Sequence, residues 1–316
     1  MDRARLAAER DRLAREHGGW TENVAIADGL FTLGAVATES ERRTAAVLQT
    51  VGDALGGTLR GARVLDLGAG EGRTAVELAR HGARVLAVEG REGNAAKLRF
   101  LKGAHGLDAL EVVRADARAV SRATHGSFDV VLCLRLLYHL DAGAAAALLR
   151  TVAELAPRVV LVETLVARAP RTEVTVDGRR YAGRRVREFD PGASAEEQER
   201  LGRSSLGNPE SFWFTRPSLL NLIADAGFTS VHEVHVPRYG KSANHVMLAA
   251  FRGTPLPVLT GPRHPEPARW PERERPPVHP ADSWRGDLKL RLAPYAPAAL
   301  KRWRRRRRAP RSSGAR

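Results

Sequence analysis

The chain has 316 residues, of which 43% are hydrophobic, and its single cysteine is Cys133. One cysteine excludes a disulfide scaffold and a cysteine-rich zinc site, and we expect no bound metal. The N-terminal segment is charged throughout and no run reaches roughly 18 apolar residues, so neither a secretion signal nor a membrane-spanning helix is expected. These features predict a cytoplasmic protein.

The net charge of +15 is concentrated at one end of the chain. Residues 253–316 contain 16 Lys and Arg against 5 Asp and Glu, together with 12 of the 18 prolines. Proline interrupts helices and strand ladders, so this basic tail is expected to be extended or disordered. Its arginine run at 301–311 could bind nucleic acid or form a solvated arm. It could also bind the anionic surface of the inner membrane, which would make the protein peripheral to that membrane.

Residues 1–57 are predicted to form a helical extension. Leu6 and Leu13 are one heptad apart in a weakly amphipathic stretch, which favours a helix over residues 1–16. A loop with the sequence AIADGLFTLG follows. Thr38 and Ser40 are candidate N-caps of a second helix that ends before Gly56.

From residue 62 onward, short apolar runs alternate with helical patterns, which is typical of a parallel α/β sheet. We expect a doubly wound, mostly parallel seven-stranded sheet in a domain at 58–252. Its predicted strands cover residues 62–67, 83–89, 110–116, 128–134, 158–164, 229–236 and 244–251. Its predicted helices cover residues 72–81, 92–104, 142–155 and 216–226.

The alternation breaks between residues 165 and 214, where charged residues replace most aliphatic ones. Asp177 and Gly178 form a dipeptide that is typical of a tight hairpin turn. We interpret this segment as an insertion that covers the edge of the sheet and caps a substrate.

The sequence VLDLGAGEGRT at 64–74 predicts a strand, a glycine turn and a helix. Gly68, Gly70 and Gly72 would let the backbone approach a ligand closely. Their G-x-G-x-G spacing differs from the G-x-G-x-x-G of dinucleotide sites. Glu71 within the turn would repel a pyrophosphate and suit a ligand that carries a cation. An NAD-dependent oxidoreductase is therefore disfavoured.

Acidic residues also mark the ends of the next two predicted strands. Glu89 follows Gly70 by 19 residues, close to the roughly 20 at which an acidic residue accepts hydrogen bonds from ribose hydroxyls. Asp116 ends the third strand, where it could receive an adenine amino group. With Asp66 and the glycine turn, these residues describe a pocket for an adenosine joined to a charged amino acid. S-adenosylmethionine fits that description.

The segments VLDLGAGEGRTAVELARHGARVLAVEGRE, VVRADAR and FDVVLCLRLLYHLD resemble the class I S-adenosylmethionine-dependent methyltransferases, over about residues 60–165. The resemblance implies a Rossmann-like methyltransferase fold that ends in an antiparallel strand. It also implies S-adenosyl-L-methionine as the cofactor, with the methionine moiety held by residues 66–72, the ribose by Glu89 and the adenine by Asp116 and Ala117. The cofactor-binding residues so predicted are Asp66, Gly68, Ala69, Gly70, Gly72, Glu89, Asp116, Ala117, Leu134 and Arg135.

Side chains that follow the fourth strand should face the acceptor of the methyl group, because the carboxyl ends of strands face the ligand crevice. His139 is the candidate general base, with a helix-capping role as the alternative. The aromatic residues 212–214 either cover the sheet edge or form a wall of the acceptor pocket. The predicted acceptor-binding residues are Tyr138, Tyr181, Arg184, Arg185 and Trp213.

The predicted function is methyl transfer to an oxygen or nitrogen nucleophile of a small-molecule acceptor or a cell-envelope saccharide or lipid. The segments AIADGLFTLG and NPESFWFTRPSLLNLIADAGFTSV also resemble a subgroup that includes relatives of the tRNA wobble-uridine carboxymethyltransferase. That second resemblance implies tRNA as an alternative acceptor. A binding module that retains the adenosyl pocket without turnover is a further alternative.

Overall fold

The computed structural model describes residues 2–34, 39–155, 157–202, 204–236, 244–261 and 269–272. Its N-terminal part consists of helix α1 (Arg3–His17), strands β1 (Ala25–Ala27) and β2 (Leu30–Phe31), and helix α2 (Glu39–Ala54). Both expected helices are present. The segment expected to be a loop instead forms an antiparallel hairpin of β1 and β2.

The next elements alternate between strand and helix, as the apolar runs predict. They are β3 (Arg63–Leu67), α3 (Arg73–Arg80), β4 (Arg84–Glu89), α4 (Glu92–His105), β5 (Leu110–Arg114), α5 (Arg122–His125), β6 (Val130–Leu134), α6 (Ala142–Glu154) and β7 (Val159–Leu165). Short 3₁₀ turns at Ala117–Ala119 and Leu137–His139 follow β5 and β6.

The charged segment after β7 forms a small antiparallel sheet of its own. It contains β8 (Thr172–Val176), β9 (Arg179–Arg187), helix α7 (Ala195–Arg200) and β10 (Glu210–Phe214), with β9 in the centre. Asp177 and Gly178 both adopt positive φ angles, 50° and 74°, at the turn between β8 and β9. The predicted hairpin turn is therefore present.

Helix α8 (Arg216–Asp225) and strands β11 (Ser230–Glu233) and β12 (His245–Phe251) complete the large sheet. Its strand order is β11-β12-β7-β6-β3-β4-β5. The strands β3 to β7 pair in parallel, and β12 runs antiparallel to both β7 and β11. This topology confirms the predicted seven-stranded, mostly parallel sheet with an antiparallel closing strand.

Side chains that alternate along the strands form two apolar cores, one on each face of the large sheet. Val64 and Leu132 pack on one face with α3, α4 and the N-terminal helices, where Leu13 and Val51 are buried. Leu65 and the residues of its face pack with α6, α8 and aromatic residues of the small sheet. The N-terminal extension is thus part of the core that supports the glycine turn.

Cys133 is fully buried in β6, and burial raises the pKa of its thiol to about 12. It is therefore an inert core residue, as its apolar surroundings in the sequence indicate. No helix within the described ranges is long and apolar enough to cross a membrane. The arginine run at 301–311 lies outside the described residues.

Candidate active site

A large cleft opens at the carboxyl ends of the central strands. Nine of the ten predicted cofactor-binding residues line it: Asp66, Gly68, Ala69, Gly70, Glu89, Asp116, Ala117, Leu134 and Arg135. Gly72 does not line the cleft, because it precedes the first turn of α3 and packs against the interior. Parallel strands that end at one edge of the sheet bring these distant residues together.

The glycine turn after β3 requires left-handed backbone at three positions. Gly68, Gly70 and Gly72 have φ angles of 71°, 60° and 93°. The Gly68 and Ala69 N–H groups donate to the Val88 carbonyl at 2.8 and 3.2 Å, which fixes the turn against β4. These positive φ angles explain why the turn is built from glycine.

Gly72 and Gly70 provide a matched pair for testing this turn. A Cβ at Gly72 would lie 1.9 Å from Cδ1 of the fully buried Leu98, whereas a Cβ at Gly70 meets nothing within 4 Å. We expect Gly72→Ala to cost about 1–3 kcal/mol more of the free energy of unfolding than Gly70→Ala, since both carry backbone strain but one also overpacks the core. Urea unfolding of both variants measures the difference, and equal costs would contradict the packing argument.

Glu89, at the end of β4, is buried and held in one orientation. Its Oε2 accepts a hydrogen bond from the Gly70 N–H, and its Oε1 accepts one from the Arg91 N–H, both at 2.8 Å. The carboxylate therefore ties the glycine turn to the end of the neighbouring strand. It is also placed at the cleft wall, as the sequence predicts for a ribose-binding group.

Asp66 lies deeper, at 2% exposure. Burial, together with the nearby charges of Glu22 and Glu89, raises the pKa of Asp66 to about 7. A buried carboxyl with a pKa near neutrality favours a cationic group beside it, because such a group stabilises the ionised form.

Asp116 is exposed at the rim of the cleft and forms an ion pair with Arg118, with 2.6 Å between Oδ2 and Nη2. It also accepts the Arg118 N–H and so caps the 3₁₀ turn that contains Ala117. The hydrogen bonds from Arg118 hold the pKa of Asp116 below its ordinary value. The carboxylate is thus ionised at neutral pH.

Glu71 does not have the role that its place in the turn suggests. It is buried, pairs with Lys97 at 2.8 Å, and accepts the N–H groups of Thr21 and Glu22 at 2.8 Å each. Its charge is therefore compensated within the protein. The expectation that Glu71 attracts a cationic ligand is wrong, because its carboxylate instead anchors the N-terminal segment to the glycine turn.

The N-terminal segment also forms part of the cleft, which the sequence did not indicate. His17, Thr21, Glu22 and Arg43 line it together with Asp66. Glu22 pairs with Arg43 at 3.1 Å, and burial raises the pKa of Glu22. No local motif marks these residues, since they reach the cleft only through the packing of α1 and α2.

His139 forms a dyad with Glu188 on the opposite side of the cleft. Its Nδ1 lies 3.0 Å from Oε2 of Glu188, which also accepts the Ser205 N–H at 2.9 Å. The other carboxylate oxygen, Oε1, accepts the Ser211 hydroxyl at 2.6 Å. Burial favours the neutral form of Glu188, but the hydrogen bonds from His139 and Ser211 outweigh it and lower the pKa of Glu188. The next helix, α6, is capped by Asp141 instead of His139.

The charged insertion docks directly on this part of the chain. The Trp213 Nε1 donates to the Tyr138 carbonyl at 3.1 Å, and the Asn208 amide donates to the His139 carbonyl at 2.8 Å. The Phe212 N–H donates to the Leu140 carbonyl at 2.8 Å. These bonds fix the insertion as a wall of the cleft beside His139.

The aromatic residues of β10 are divided between the core and the cleft. Phe212 and Phe214 are buried in the core, whereas Trp213 points to the other face and lines the cleft. Alternation along the strand separates them. Tyr138 also lines the cleft, and its ring meets that of Trp213 edge-on with centroids 6.2 Å apart.

Three predicted acceptor-binding residues are not placed in the cleft. Tyr181 is buried and donates its hydroxyl to Asp225 at 2.6 Å, so it belongs to the core. Arg185 is exposed and pairs with Glu210. Arg184 lies over the Trp213 ring, 4.3 Å from its centroid, and supports that wall from behind. The described residues contain no cluster of three or more His, Cys, Asp or Glu suited to a metal ion.

Comparisons with known proteins agree with this geometry. Residues 64–157 match the family model described as a methyltransferase domain. The N-terminal domain of EvdMO1, solved in the presence of SAH and D-fucose, is 27% identical with a TM-score of 0.61, over 80% of this chain and 98% of that one. The same domain with SAH bound gives 27% identity and a TM-score of 0.60 over the same shares.

Full-length EvdMO1 is 24% identical with a TM-score of 0.53, and the match covers 80% of this chain but only 48% of that one. This chain therefore spans about half the length of that protein. The search of curated proteins found no match. The matched domain model, the sheet order and the glycine turn identify residues 64–157 as a methyltransferase domain within the Rossmann-like fold of class I S-adenosylmethionine-dependent methyltransferases.

Proposed function

We propose that this protein transfers a methyl group from S-adenosyl-L-methionine to a hydroxyl oxygen of a small, hydroxylated acceptor. One observation carries the proposal: a single cleft contains the glycine turn with Asp66 and Glu89 on one side and the His139–Glu188 dyad on the other. A cofactor bound along the first side would place its methyl group near the second.

The residues of the first side fit the cofactor chemically. Glu89 would accept hydrogen bonds from the ribose hydroxyls. Asp116, which is paired with Arg118, and Ala117 would border the adenine. Asp66 and Glu22 provide negative charge for the ammonium group, while Arg43 provides a cation for the carboxylate. The cofactor would supply a sulfonium-bound methyl group, and the protein's contribution is alignment, which can be worth about 7–11 kcal/mol.

Asp66 makes cofactor binding depend on pH. Because its pKa is about 7, most Asp66 is protonated at pH 6 and ionised at pH 8, and only the ionised form attracts an ammonium group. We expect S-adenosylhomocysteine to bind about tenfold more weakly at pH 6 than at pH 8, one factor of ten per unit below the pKa. Calorimetry at both pH values measures this, and Asp66→Asn should bind weakly at both.

The raised pKa of Asp66 also determines how the stability of the ligand-free protein changes with pH. The folded state retains a proton on Asp66 that the unfolded chain releases near pH 4, so stability should decrease as pH rises from about 4 to 7. Binding that is independent of pH between 6 and 8 would contradict a role for the Asp66 charge.

The second side fits an acceptor whose proton must be removed. The hydrogen bond from Nδ1 to Glu188 leaves Nε2 of His139 as the nitrogen available to take a proton from a hydroxyl. Tyr138 and Trp213 offer aromatic faces beside it. The similarity to an EvdMO1 domain solved with D-fucose supports a sugar or a sugar-like hydroxylated molecule as the acceptor.

Transfer of a tritiated methyl group into fractionated small-molecule, lipid and RNA pools tests the assignment. Label in a hydroxylated small-molecule fraction supports the proposal. Label in RNA would favour the tRNA alternative, in which the basic tail contributes to binding. Saturable S-adenosylhomocysteine binding without transfer to any pool would favour a non-catalytic adenosyl-binding module, and absence of binding would contradict the cofactor assignment.

A further inference from the structure

Arg91 lies just after Glu89 and is buried at 7% exposure. Its guanidinium donates to five main-chain carbonyls at the end of α7 and in the residues that follow. The acceptors are Gln198, Glu199 at 2.9 Å, Leu201 at 3.0 Å, Ser204 at 2.7 Å and Ser205 at 3.3 Å. A cation at the C-terminal end of a helix satisfies carbonyls that have no partner within the helix.

The segment that Arg91 holds leads directly to the His139–Glu188 dyad. The Ser205 N–H donates to Oε2 of Glu188, the oxygen that also faces Nδ1 of His139. The Ser205 hydroxyl donates to the Asn208 carbonyl, and the Asn208 side chain donates to the His139 carbonyl. Thus residues 205–208 constrain both the side-chain partner and the backbone of His139.

On its other side, Arg91 is joined to the cofactor half of the cleft. Its main-chain N–H donates to Glu89, whose second oxygen accepts the Gly70 N–H. Leu206 packs so closely over Gly90 that a Cβ there would lie 2.9 Å from its Cδ1. Arg91 therefore contacts the predicted ribose-binding carboxylate through its backbone and the acceptor wall through its side chain.

We infer that Arg91 is a positioning residue for the acceptor-side base. By holding the end of α7 and the backbone of Ser204 and Ser205 against the end of β4, it presents the Ser205 N–H to Glu188, and Glu188 then keeps the His139 proton on Nδ1. The Nε2 lone pair of His139 consequently faces the acceptor. This inference rests on the proposed function, in which His139 removes the acceptor's proton.

The test is nitrogen-15 NMR of histidine-labelled full-length protein, with the His139 signals assigned by their loss in His139→Gln. In the wild type, neutral His139 should show a protonated Nδ1 and an unprotonated Nε2. Glu188→Gln should abolish this preference. Arg91→Met should abolish it too, because it leaves five carbonyls unsatisfied and so frees the end of α7, Ser204 and Ser205 to move away. A preference that survives in Arg91→Met would overturn the inference.

The matched control is Arg99→Met on α4, the helix that begins directly after Arg91; there an exposed guanidinium pairs with Glu92 at 3.0 Å. It should leave the His139 signals unchanged, and a change there would contradict a specific role for Arg91. If Arg91→Met does not fold, Arg91→Lys keeps the charge but loses the planar fork that reaches five carbonyls, so it should partly lose the preference. An unaltered spectrum in Arg91→Lys would then overturn the inference.

The NMR measurement does not depend on turnover, so the two proposals fail separately. If no methyl transfer is found but the His139 tautomer depends on Arg91, the proposed function fails, while the structural link from Arg91 to His139 is retained. If methyl transfer requires His139 but the His139 tautomer is unchanged in the Arg91 variants, only the inference about Arg91 fails.

Discussion

Methyl transfer by His139→Gln is expected to be slower than wild type by roughly 10²–10⁴-fold, the usual contribution of a positioned general base. The reason is geometric: His139 lines the acceptor side of the cleft, and Glu188 at 3.0 Å stabilises the imidazolium that forms when a hydroxyl proton is taken up. Initial rates of tritiated-methyl transfer into the labelled acceptor fraction measure the loss. Binding of S-adenosylhomocysteine should be unchanged, because its predicted contacts are elsewhere.

His232→Gln is the control for this experiment, since His232 is exposed on β11 and its ring contacts only Phe251 among the described aromatic rings. It should transfer methyl groups at the wild-type rate. Glu188→Gln should lose less activity than His139→Gln, because the base remains present but is less well oriented. A wild-type rate in His139→Gln would mean that alignment alone drives the reaction and that no general base is used.

The large sheet could be predicted from the sequence because its information is local. Buried parallel strands appear as continuous runs of Val and Leu, and the helices between them begin and end at recognisable residues. The hairpin of β1 and β2 is not among the predicted elements, although its turn signal is present in the sequence. Asp28 and Gly29 form the same kind of turn dipeptide that predicted the turn at Asp177 and Gly178.

The grouping of the predicted cofactor-binding residues around one cleft was predictable for a related reason. Asp66 and Glu89 lie in the last residues of their strands and the glycine turn follows directly after β3, and parallel strands bring such ends together. The acceptor half depends on contacts between distant segments. Glu188 is 49 residues from His139 in the chain and lies in a segment without a regular pattern, so only the docking of the insertion reveals it.

Two misinterpreted residues show the same limit. The arginines around Tyr181 in the sequence favour a place at the acceptor. In the structure its hydroxyl donates to Asp225 of α8, 44 residues away, and the side chain is buried in the core. The place of Glu71 in the glycine turn suggests a charge that acts on the ligand, but Lys97 of α4 compensates that charge. Both side chains have a partner that is distant in the sequence. That partner determines whether the polar side chain is available to a ligand or stabilises the fold.

The Glu71–Lys97 pair should be among the most costly interactions to break in this protein. Both side chains are only 3% exposed, and Lys97 also donates to the Gly19 carbonyl at 3.0 Å and lies 5.2 Å from the centroid of the Trp20 ring. Glu71→Gln would leave the Lys97 cation buried without a counter-charge. We expect a loss of about 3–5 kcal/mol in the free energy of unfolding, measured by urea denaturation.

The control is Glu92→Gln, which breaks the exposed pair with Arg99 and should cost no more than about 1 kcal/mol. The double variant Glu71→Gln/Lys97→Met should be more stable than the sum of the single losses predicts, because no charge is left buried alone. Strictly additive losses would contradict a direct interaction between the two side chains.

The same pair should affect cofactor binding, because Glu71 accepts the N–H groups of Thr21 and Glu22, and both residues line the cleft. Glu71→Gln should therefore weaken S-adenosylhomocysteine binding even under conditions in which the variant is folded, whereas Glu92→Gln should not. Calorimetry on both variants separates the two effects. If Glu71→Gln bound as tightly as wild type, the N-terminal segment would be only a support for the fold; weaker binding would make it a functional wall of the cofactor site.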